Sequence, residues 1–265
     1  MENEKISLII LSCDKNSFLW PGFFKLLDKY WPNHPSRVIL STETKVYNNN
    51  SIIMSNNRCL NENWSSRFYH AICEAGTEFV IVMLDDFYIK SNVNETKVNK
   101  YIEIINTDLK ISMISFENQP DCIEKNKYSN EKLLKRKKFS SYRINAQPGI
   151  WRSSYLKNIL RNGENPWQFE LSGTFRSFFM KGDLYAVGNE EKIIPTDKGW
   201  LVVRGELNKK LVEYYLKKEN IDLSAQLEEN NIPFKNNKKK SCKIVRIIGY
   251  CLECIKSLTY KKIKE

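Results

Sequence analysis

Short apolar runs alternate along the first half of the chain with segments whose apolar residues recur three or four positions apart. The runs ISLIIL, VILS and FVIVML are nearly continuous in apolar residues, which is typical of strands that are buried on both faces. The segments between them, WPGFFKLLDKYWP and NWSSRFYHAICEAG, have the spacing of amphipathic helices. This alternation predicts an α/β fold with a mainly parallel sheet that carries helices on both faces.

Acidic residues directly follow two of these predicted strands. Asp14 comes after the first strand, and Asp85 and Asp86 come after the third. Functional residues of parallel sheets collect beyond the carboxyl ends of the strands, so we expect these side chains to share one edge. Two adjacent carboxylates repel each other, and a positive group normally compensates them. A basic neighbour, a solvated loop, a cap of the following turn or a divalent cation that holds a phosphate would each explain the pair.

The second half of the chain contains further predicted elements. NETKVNKYIEIINTDLK and NKKLVEYYLKKENI predict helices, and ISMISFEN predicts a strand. YRINAQPGIWRSSYLKNILRNG predicts a strand-like entry and a helix, and NPWQFELSGTFRSFFMKG predicts a turn that leads into another helix. The polar, irregular stretch 118–140 predicts a mobile excursion over the carboxyl edge of the sheet.

The net charge of +11 is concentrated in residues 131–143 and in the tail from Lys235 onward. Such an excess suits nucleic acid, anionic lipid or phosphorylated substrates. The sequence carries no RRM, KH, zinc-finger or helix-turn-helix signature, so we expect no nucleic-acid partner. The seven cysteines are scattered, which argues against a disulfide framework, and Cys251 and Cys254 lack the further ligands of a zinc site.

The tail has the pattern of a basic amphipathic helix, because its apolar positions recur at spacings of three or four and lysines flank both ends. These positions are Ile244, Ile247, Ile248, Cys251, Ile255 and Leu258. Such a helix suits an anionic membrane surface, although a terminal helix packed on the domain shows the same pattern. The start MENEKISLII does not resemble a secretory signal, and no apolar run is long enough to span a bilayer. We therefore expect a cytoplasmic protein, either free or held at the inner face of the cell membrane.

Residues 61–88 resemble the nucleotide-binding half of GT-A glycosyltransferases. In the large family 2 of these enzymes, a polar segment with Ser-x-x-Arg-like residues opens a helix, and the next strand ends in an Asp-x-Asp-type motif; Ser65, Ser66 and Arg67 match the first feature. The segments SCDK, KYWP, LDDFYI, QPGIW and NPWQFE, in that order, also resemble bacterial capsule and surface-polysaccharide transferases. The resemblance implies a GT-A (Rossmann-like), mixed and mainly parallel sheet that binds a nucleotide-sugar donor.

The resemblance implies a divalent metal, Mn²⁺ or Mg²⁺, at the end of the third strand, with Asp86 as the first choice of ligand and Asp85 as the second. This sequence lacks the usual spacer between the two carboxylates. Side chains of neighbouring residues point to opposite faces of a strand, so the pair can converge only where the chain turns out of the sheet. One carboxylate would then bind the metal, and the other would orient the ribose or the sugar.

On the donor side, the resemblance implies that Asp14 and Lys15 meet the base and ribose. Arg67 would contact the base or the pyrophosphate, and Arg204, in VVRGE, is a further candidate for the diphosphate. Alternatively, Arg67 is an ordinary exposed charge on a helix, and Arg204 belongs to an ordinary surface ion pair.

On the acceptor side, a carboxylate suits the role of the base that an inverting enzyme needs. Glu170, in NPWQFELSG, is our candidate for this base, and Trp167 would stack on a sugar face. Glu164 is a nearby competitor for the same role. A simpler explanation of Glu170 is that the helix dipole favours a glutamate in the first turn of a helix. Gln147 and Trp151, in AQPGIW, would line the acceptor side, although tryptophan at a strand–helix junction is commonly part of a core.

These inferences predict a GT-A catalytic domain at residues 1–215, with a nucleotide-binding half at 1–116 and an acceptor-binding half at 117–215, followed by a helical basic extension at 216–265. We expect transfer of a sugar from a nucleotide-diphosphate donor to a glycan or lipid-linked acceptor in cell-surface polysaccharide synthesis. A nucleotidyltransferase is an alternative, although SCDKNSF lacks the glycines of a phosphate-gripping loop. A non-catalytic protein that binds nucleic acid or carbohydrate is another.

Overall fold

A computed structural model describes residues 5–55, 62–119, 121–123, 125–188, 191–197, 201–203, 206–223 and 259–263. Arg204 and residues 224–258, which include most of the predicted tail helix, lie outside these residues.

Within these ranges the chain forms a nine-stranded sheet with the order β3-β2-β1-β4-β8-β5-β9-β7-β6 and a two-stranded hairpin, β10-β11. The strands are β1 (Ile6–Leu11), β2 (Val38–Ser41), β3 (Ile52–Met54), β4 (Phe79–Leu84), β5 (Ile111–Ser115), β6 (Cys122–Ile123), β7 (Leu133–Arg136), β8 (Gly149–Arg152), β9 (Asp183–Val187), β10 (Val202–Val203) and β11 (Glu206–Leu207). The helices are α1 (Trp20–Tyr30), α2 (Trp64–Ala75), α3 (Glu95–Thr107), α4 (Ser153–Ile159), α5 (Pro166–Ser177) and α6 (Lys209–Glu219).

The sheet is mixed. Strands β3, β2, β1 and β4 are mutually parallel, and β9 runs parallel to β5. Strand β8 is antiparallel to both of its neighbours, β4 and β5, and β7 is antiparallel to β9. The predicted α/β class with a mixed sheet is confirmed, whereas the irregular excursion predicted at 118–140 is wrong in part, because β6 and β7 extend the sheet there.

Glycine allows β8 to enter the sheet beside β5. A Cβ atom on Gly149 would lie 2.8 Å from the carbonyl oxygen of Ile114 and 3.1 Å from Cα of Ser115. Real side chains do not tolerate the first of these distances, so the close approach of the two backbones requires glycine. The residues just before β8 are thereby brought to the edge where β4 ends.

Alternate residues of β1 enter two separate cores. Leu8 and Ile10 pack on one face of the sheet, which α1, α3 and α6 cover. Ile9 and Leu11 pack on the other, which α2, α4 and α5 cover. Burial on both faces explains why the strand is continuously apolar in sequence.

Residues 216–223 and 259–263 of the predicted C-terminal extension belong to the described structure. Helix α6 runs without a break across the predicted boundary at 215/216, and its Tyr215 is fully buried in the first core. Farther on, the carbonyl of Lys261 accepts a hydrogen bond of 2.9 Å from the N–H of Asn162, and Ile263 packs against the second core. None of the helices in the described ranges is long and apolar enough to cross a membrane.

Candidate active site at the carboxyl edge of the sheet

The loops that follow β1, β2 and β4 meet at one edge of the sheet. Leu11, the last residue of β1, pairs with Ser41 of β2 and with Leu84 of β4. The structure therefore brings together the turns that carry Asp14, Glu43 and the Asp85–Asp86 pair, as parallel topology requires.

Asp85 is anchored inside the protein. Asp85 is only 3% exposed. The Ser12 hydroxyl donates a hydrogen bond to its Oδ2, and Asn16 Nδ2 donates one of 3.2 Å to its Oδ1. The Ser12 hydroxyl oxygen in turn accepts a hydrogen bond of 2.7 Å from Trp20 Nε1. Burial raises the pKa of Asp85 to about 7, against the opposing effect of these hydrogen bonds. Both carboxylate oxygens are engaged by the protein itself.

Asp86 is the more accessible member of the pair. Burial and then repulsion by Asp85 raise its pKa to about 8, and a backbone hydrogen bond from Val202 opposes the shift. The carbonyl of Asp86 also accepts a hydrogen bond of 3.4 Å from the N–H of Leu201. The start of the β10-β11 hairpin thus contacts Asp86 just beyond the end of β4.

The chemistry of this pair fits a hard divalent cation, because carboxylate oxygen is the ligand that Mg²⁺ and Mn²⁺ prefer. Asp85 already uses both oxygens on Ser12 and Asn16, so Asp86 is the residue that could bind the metal directly. Across the described residues, no group of three or more His, Cys, Asp and Glu side chains lies close enough to hold an ion. A cation here would therefore depend on the phosphates of a ligand and on water for its other positions.

Asp14 is used to hold the loop after β2. Its Oδ1 accepts hydrogen bonds from Thr42 Oγ1 at 2.8 Å and from the N–H of Lys45 at 3.0 Å, and Oδ2 accepts one from Thr44 Oγ1 at 2.5 Å. Burial opposes ionisation, but these hydrogen bonds outweigh it and lower the pKa of Asp14 to about 2. The neighbouring Lys15 is exposed at the same edge.

Arg67 and Glu43 form an ion pair beside Asp14. Arg67 is 6% exposed, and its Nη2 donates to Glu43 Oε1 at 2.8 Å while its Nη1 donates to the carbonyl of Glu62 at 2.6 Å. The other oxygen of Glu43 accepts from the N–H of Asp14. Arg67 Nε is buried and finds no hydrogen-bond partner among the residues described. Arg67 is thus a positioned group and not an exposed helical charge.

Glu43 is the site residue that the sequence analysis missed. It follows β2 just as Asp14 follows β1, so the rule that singled out Asp14 would have found it. Arg204, which the sequence analysis proposed for the diphosphate, lies outside the described residues.

Helix α5 carries Glu170 to this edge. Asn165 caps the helix by accepting a hydrogen bond of 2.9 Å from the N–H of Gln168, and Gln168 Oε1 accepts one of 3.0 Å in return from the N–H of Asn165. One turn later, Glu170 Oε1 accepts a hydrogen bond of 2.9 Å from the N–H of Ala146. Burial raises the pKa of Glu170, and the hydrogen bond from Ala146 opposes that shift.

The segment before β8 runs along α5 and fixes the helix against the sheet. Arg143 Nη1 donates to the carbonyl of Ser177 at 3.0 Å, and the N–H of Ile144 donates to Thr174 Oγ1 at 3.0 Å. With the contact at Ala146, these bonds hold α5 along most of its length.

The pairing of β8 with β4 brings Glu170 toward the aspartate pair. The last pair of this antiparallel ladder is Val82 with Gly149. The same register, continued beyond the ladder, sets Ala146 opposite Asp85. Glu170 is bonded to Ala146 and therefore belongs to the same edge of the sheet.

Trp167 and Gln147 occupy positions that a second ligand could reach. Trp167 is 63% exposed and precedes Glu170 by one turn of α5. Gln147 is half-buried, and its Oε1 accepts a hydrogen bond of 2.7 Å from Gln119 Nε2. An exposed aromatic ring beside a carboxylate is a common arrangement for holding a sugar face.

Two of the acceptor-side candidates serve the fold. Trp151 is 1% exposed in β8 and packs near Phe169, with 6.5 Å between ring centroids, so it is part of the core and its assignment to the acceptor surface is wrong. Glu164 is fully buried and accepts two hydrogen bonds from Arg176, at 2.7 and 2.9 Å. This buried ion pair removes Glu164 as a competitor of Glu170.

Comparison with known proteins gives similarity at the level of structure. No protein-family model and no curated protein matches the sequence. The structure is similar to that of S. aureus TarS 1–349, with a TM-score of 0.50 and 13% identity over 71% of this chain and 59% of that one. The chain has a GT-A-type glycosyltransferase fold. The GT-A fold that the sequence resemblance implied is thus confirmed.

Other solved structures match this GT-A-type fold with lower scores. Glucosyl-3-phosphoglycerate synthase from Mycobacterium tuberculosis, in complex with Mn²⁺ and UDP-glucose, has a TM-score of 0.47 and 9% identity over 86% of this chain and 80% of that one. A cytidylyltransferase from Leptospira borgpetersenii has a TM-score of 0.47 and 11% identity over 89% and 99%. The chain spans 36% of the longer TarS chain and 59% of TarS 1–349.

Proposed function

We propose that this chain is a metal-dependent glycosyltransferase that moves a sugar from a nucleoside-diphosphate donor to the hydroxyl of an acceptor. The observation that carries the proposal is that two carboxylates with different surroundings lie at one edge of a GT-A-type sheet. Asp86 follows β4 beside a second aspartate, and Glu170 on α5 accepts a hydrogen bond from the segment before β8. Pairs of titratable groups whose surroundings perturb their pKa values mark active sites.

On the donor side, Asp86 would hold Mn²⁺ or Mg²⁺, and Asp85 would orient the ribose or the sugar of the donor. A bound cation supplies Lewis-acid stabilisation of the charge on a departing diphosphate. Asp14 and the exposed Lys15 would contact the base and ribose of the donor, and the buried Arg67, held by Glu43, would contact the base or the pyrophosphate. We propose a role for Arg204 at the diphosphate as well.

On the acceptor side, Glu170 would act as the base of an inverting reaction. The acceptor oxygen attacks the anomeric carbon while its proton passes to Glu170, and the bond from that carbon to the diphosphate oxygen breaks with both electrons on the leaving group. Burial raises the pKa of Glu170, which makes this carboxylate a stronger base than an exposed glutamate. Trp167 would stack on the acceptor sugar, and Gln147 would line the same side.

We further propose that the acceptor is a glycan or lipid-linked glycan of cell-surface polysaccharide synthesis. The exposed tryptophan one turn from the base supports a sugar as the acceptor. The net charge of +11 supports an acidic or phosphate-bearing one.

A thermal-shift panel tests the donor class first. UDP, GDP, CDP and TDP are each added with and without Mn²⁺, since a ligand of the native state must raise the unfolding midpoint. We expect one nucleotide to raise the midpoint, Mn²⁺ to strengthen the effect, and Asp86→Ala to remove it. The absence of any nucleotide-dependent shift in the folded protein would contradict the proposal.

A product assay then identifies the reaction. UDP-GlcNAc, which is bound in a TarS structure, and UDP-glucose, which is bound in the M. tuberculosis structure, are practical first donors. Release of a nucleoside diphosphate from a nucleotide sugar supports glycosyl transfer. Release of pyrophosphate from a nucleoside triphosphate would instead support a nucleotidyltransferase.

A further inference from the structure

Four phenylalanines form a cluster at the C-terminal end of α5, which we call the aromatic patch. They are Phe139, Phe175, Phe178 and Phe179. Phe139 is 74% and Phe179 is 76% exposed, and the ring centroids of Phe139 and Phe178 lie 5.3 Å apart. Exposed phenylalanines that contact each other commonly mark an interaction surface, whereas single exposed apolar residues are ordinary.

Exposed lysines flank the aromatic patch. Lys137, Lys138 and Lys181 are exposed beside it, and Lys138 Nζ lies 5.7 Å from the ring centroid of Phe139. The two segments that form the patch, 137–143 and 175–182, contain no aspartate or glutamate. Exposed aromatic residues flanked by lysines are typical of surfaces that enter the headgroup region of an anionic bilayer.

A basic cavity of about 440 Å³ adjoins the patch along the chain. Lys181, Arg161 and Lys262 line it together with the polar side chains of Ser154 and Asn158, and none of its lining residues is acidic. Arg152 also lines the cavity, but its guanidinium is already bonded to Glu78 at 2.8 Å. Cationic and hydroxyl groups around a cavity of this size suit a phosphate group with part of its substituents.

The aromatic patch and the cavity are adjacent along the chain. Phe179, Met180 and Lys181 are consecutive, and the first belongs to the patch whereas the other two line the cavity. The patch lies away from the catalytic edge, because Glu170 is in the first half of α5 and the patch is at its end. The cavity does too, because its Arg152 pairs with Phe79 at the start of β4, whereas the aspartate pair follows the end of that strand.

We propose that the aromatic patch and the basic cavity together bind the protein to an anionic lipid bilayer. Phe139 and Phe179 enter the interface, the surrounding lysines face the anionic headgroups, and the cavity receives the phosphate of one lipid. A second copy of this chain fits the surface poorly, because a two-fold contact would set the lysines of one patch against those of the other. The predicted tail helix would be an additional membrane contact, and the contact made by the patch and the cavity does not require it.

Vesicle sedimentation of the full chain tests the aromatic part of the proposal. The protein is mixed with phosphatidylglycerol–phosphatidylcholine vesicles, and the partition coefficient is compared for the wild type and for the double variant Phe139→Ser, Phe179→Ser. We expect a loss of roughly 100-fold, since each ring contributes about tenfold on entering the interface. Leu216→Ser is the matched control, because Leu216 is exposed on α6, across the sheet, and its loss should leave binding unchanged.

The basic part of the proposal is tested with charge variants on the same vesicles. Lys137→Gln, Lys138→Gln and Lys181→Gln should each weaken binding about fivefold, Lys217→Gln on α6 should not, and pure phosphatidylcholine should bind the wild type weakly. Inorganic phosphate, at matched ionic strength, should not displace the vesicles if the cavity prefers a headgroup within a bilayer.

Three results would overturn the proposal. They are equal binding by the wild type and the double phenylalanine variant, absence of wild-type binding to the anionic vesicles, and displacement of the vesicles by inorganic phosphate. Concentration-dependent self-association that the phenylalanine variant abolishes would assign the patch to a second copy instead. Nucleotide-induced thermal shifts are unaffected by the proposal, so its failure is distinguishable from failure of the proposed catalytic function.

Discussion

The main-chain N–H of Ala146 donates a hydrogen bond of 2.9 Å to Oε1 of Glu170. This bond joins the segment before β8 to the first half of α5. It holds one oxygen of the half-buried Glu170 carboxylate against the main chain.

Glu170→Gln tests the base. An amide oxygen can still accept from Ala146, so the fold and nucleotide binding should remain, whereas turnover should fall by about 100-fold or more because no base is left. Turnover and the nucleotide-dependent thermal shift are measured together, with Glu213→Gln, an exposed carboxylate of α6, as the control. Near-native turnover of Glu170→Gln would show that the base assignment is wrong.

Asp86→Asn tests the metal site. The substitution removes a carboxylate that burial and Asp85 both disfavour, so the variant should be at least as stable as the wild type in the absence of ligand. Its nucleotide-dependent thermal shift should no longer respond to Mn²⁺. A metal response equal to that of the wild type would remove Asp86 from the site.

Glu164→Gln tests the structural role of the ion pair with Arg176. Breaking a buried pair leaves an uncompensated charge, so the free energy of unfolding should fall by about 3–5 kcal/mol, while turnover per folded molecule stays the same. Urea unfolding measures the first quantity, and Glu103→Gln, in an exposed pair with Lys100, should have little effect. A loss of turnover in the folded Glu164→Gln protein would return Glu164 to the list of catalytic candidates.

Asp14 gives a prediction on pH. Its pKa of about 2 in the folded protein lies below the ordinary value of 3.8, so the stabilisation it provides is complete above 3.8 and is lost as the pH falls toward 2. Asp14→Asn should therefore lower the free energy of unfolding at pH 7 by about 1 kcal/mol, less than the shift alone implies because solvent screens a partly exposed carboxylate. The difference, measured by urea unfolding, should shrink at pH 3; a constant difference would assign the effect to geometry and not to charge.

Much of the fold follows from the sequence because its strands are buried on both faces and its helices are amphipathic. The position of Asp85 and Asp86 at a strand end follows for the same reason. The direction of β8 does not, because a buried strand has the same residue pattern whether it runs parallel or antiparallel to its neighbours.

Contacts distant in sequence decide the roles that sequence patterns left open. Glu164 and Glu170 belong to one short segment, and only the position of Arg176 on the next turns of α5 shows that Glu164 is neutralised. Trp151 is a core residue because Phe169 covers it, and Asp85 is an anchored residue because Ser12 and Asn16 reach it from β1 and its turn. None of these partners is visible as a local pattern.

Helix α5 joins the proposed base to the proposed lipid contact within one rigid element. Glu170 and Phe178 are about 12 Å apart along its axis at a rise of roughly 1.5 Å per residue. With the aromatic patch in the headgroups, the helix would fix the distance between the bilayer surface and the proposed base. An acceptor hydroxyl could then react only at that distance from the bilayer. A glycan long enough to reach the base would be extended, whereas the first sugar on its lipid would not.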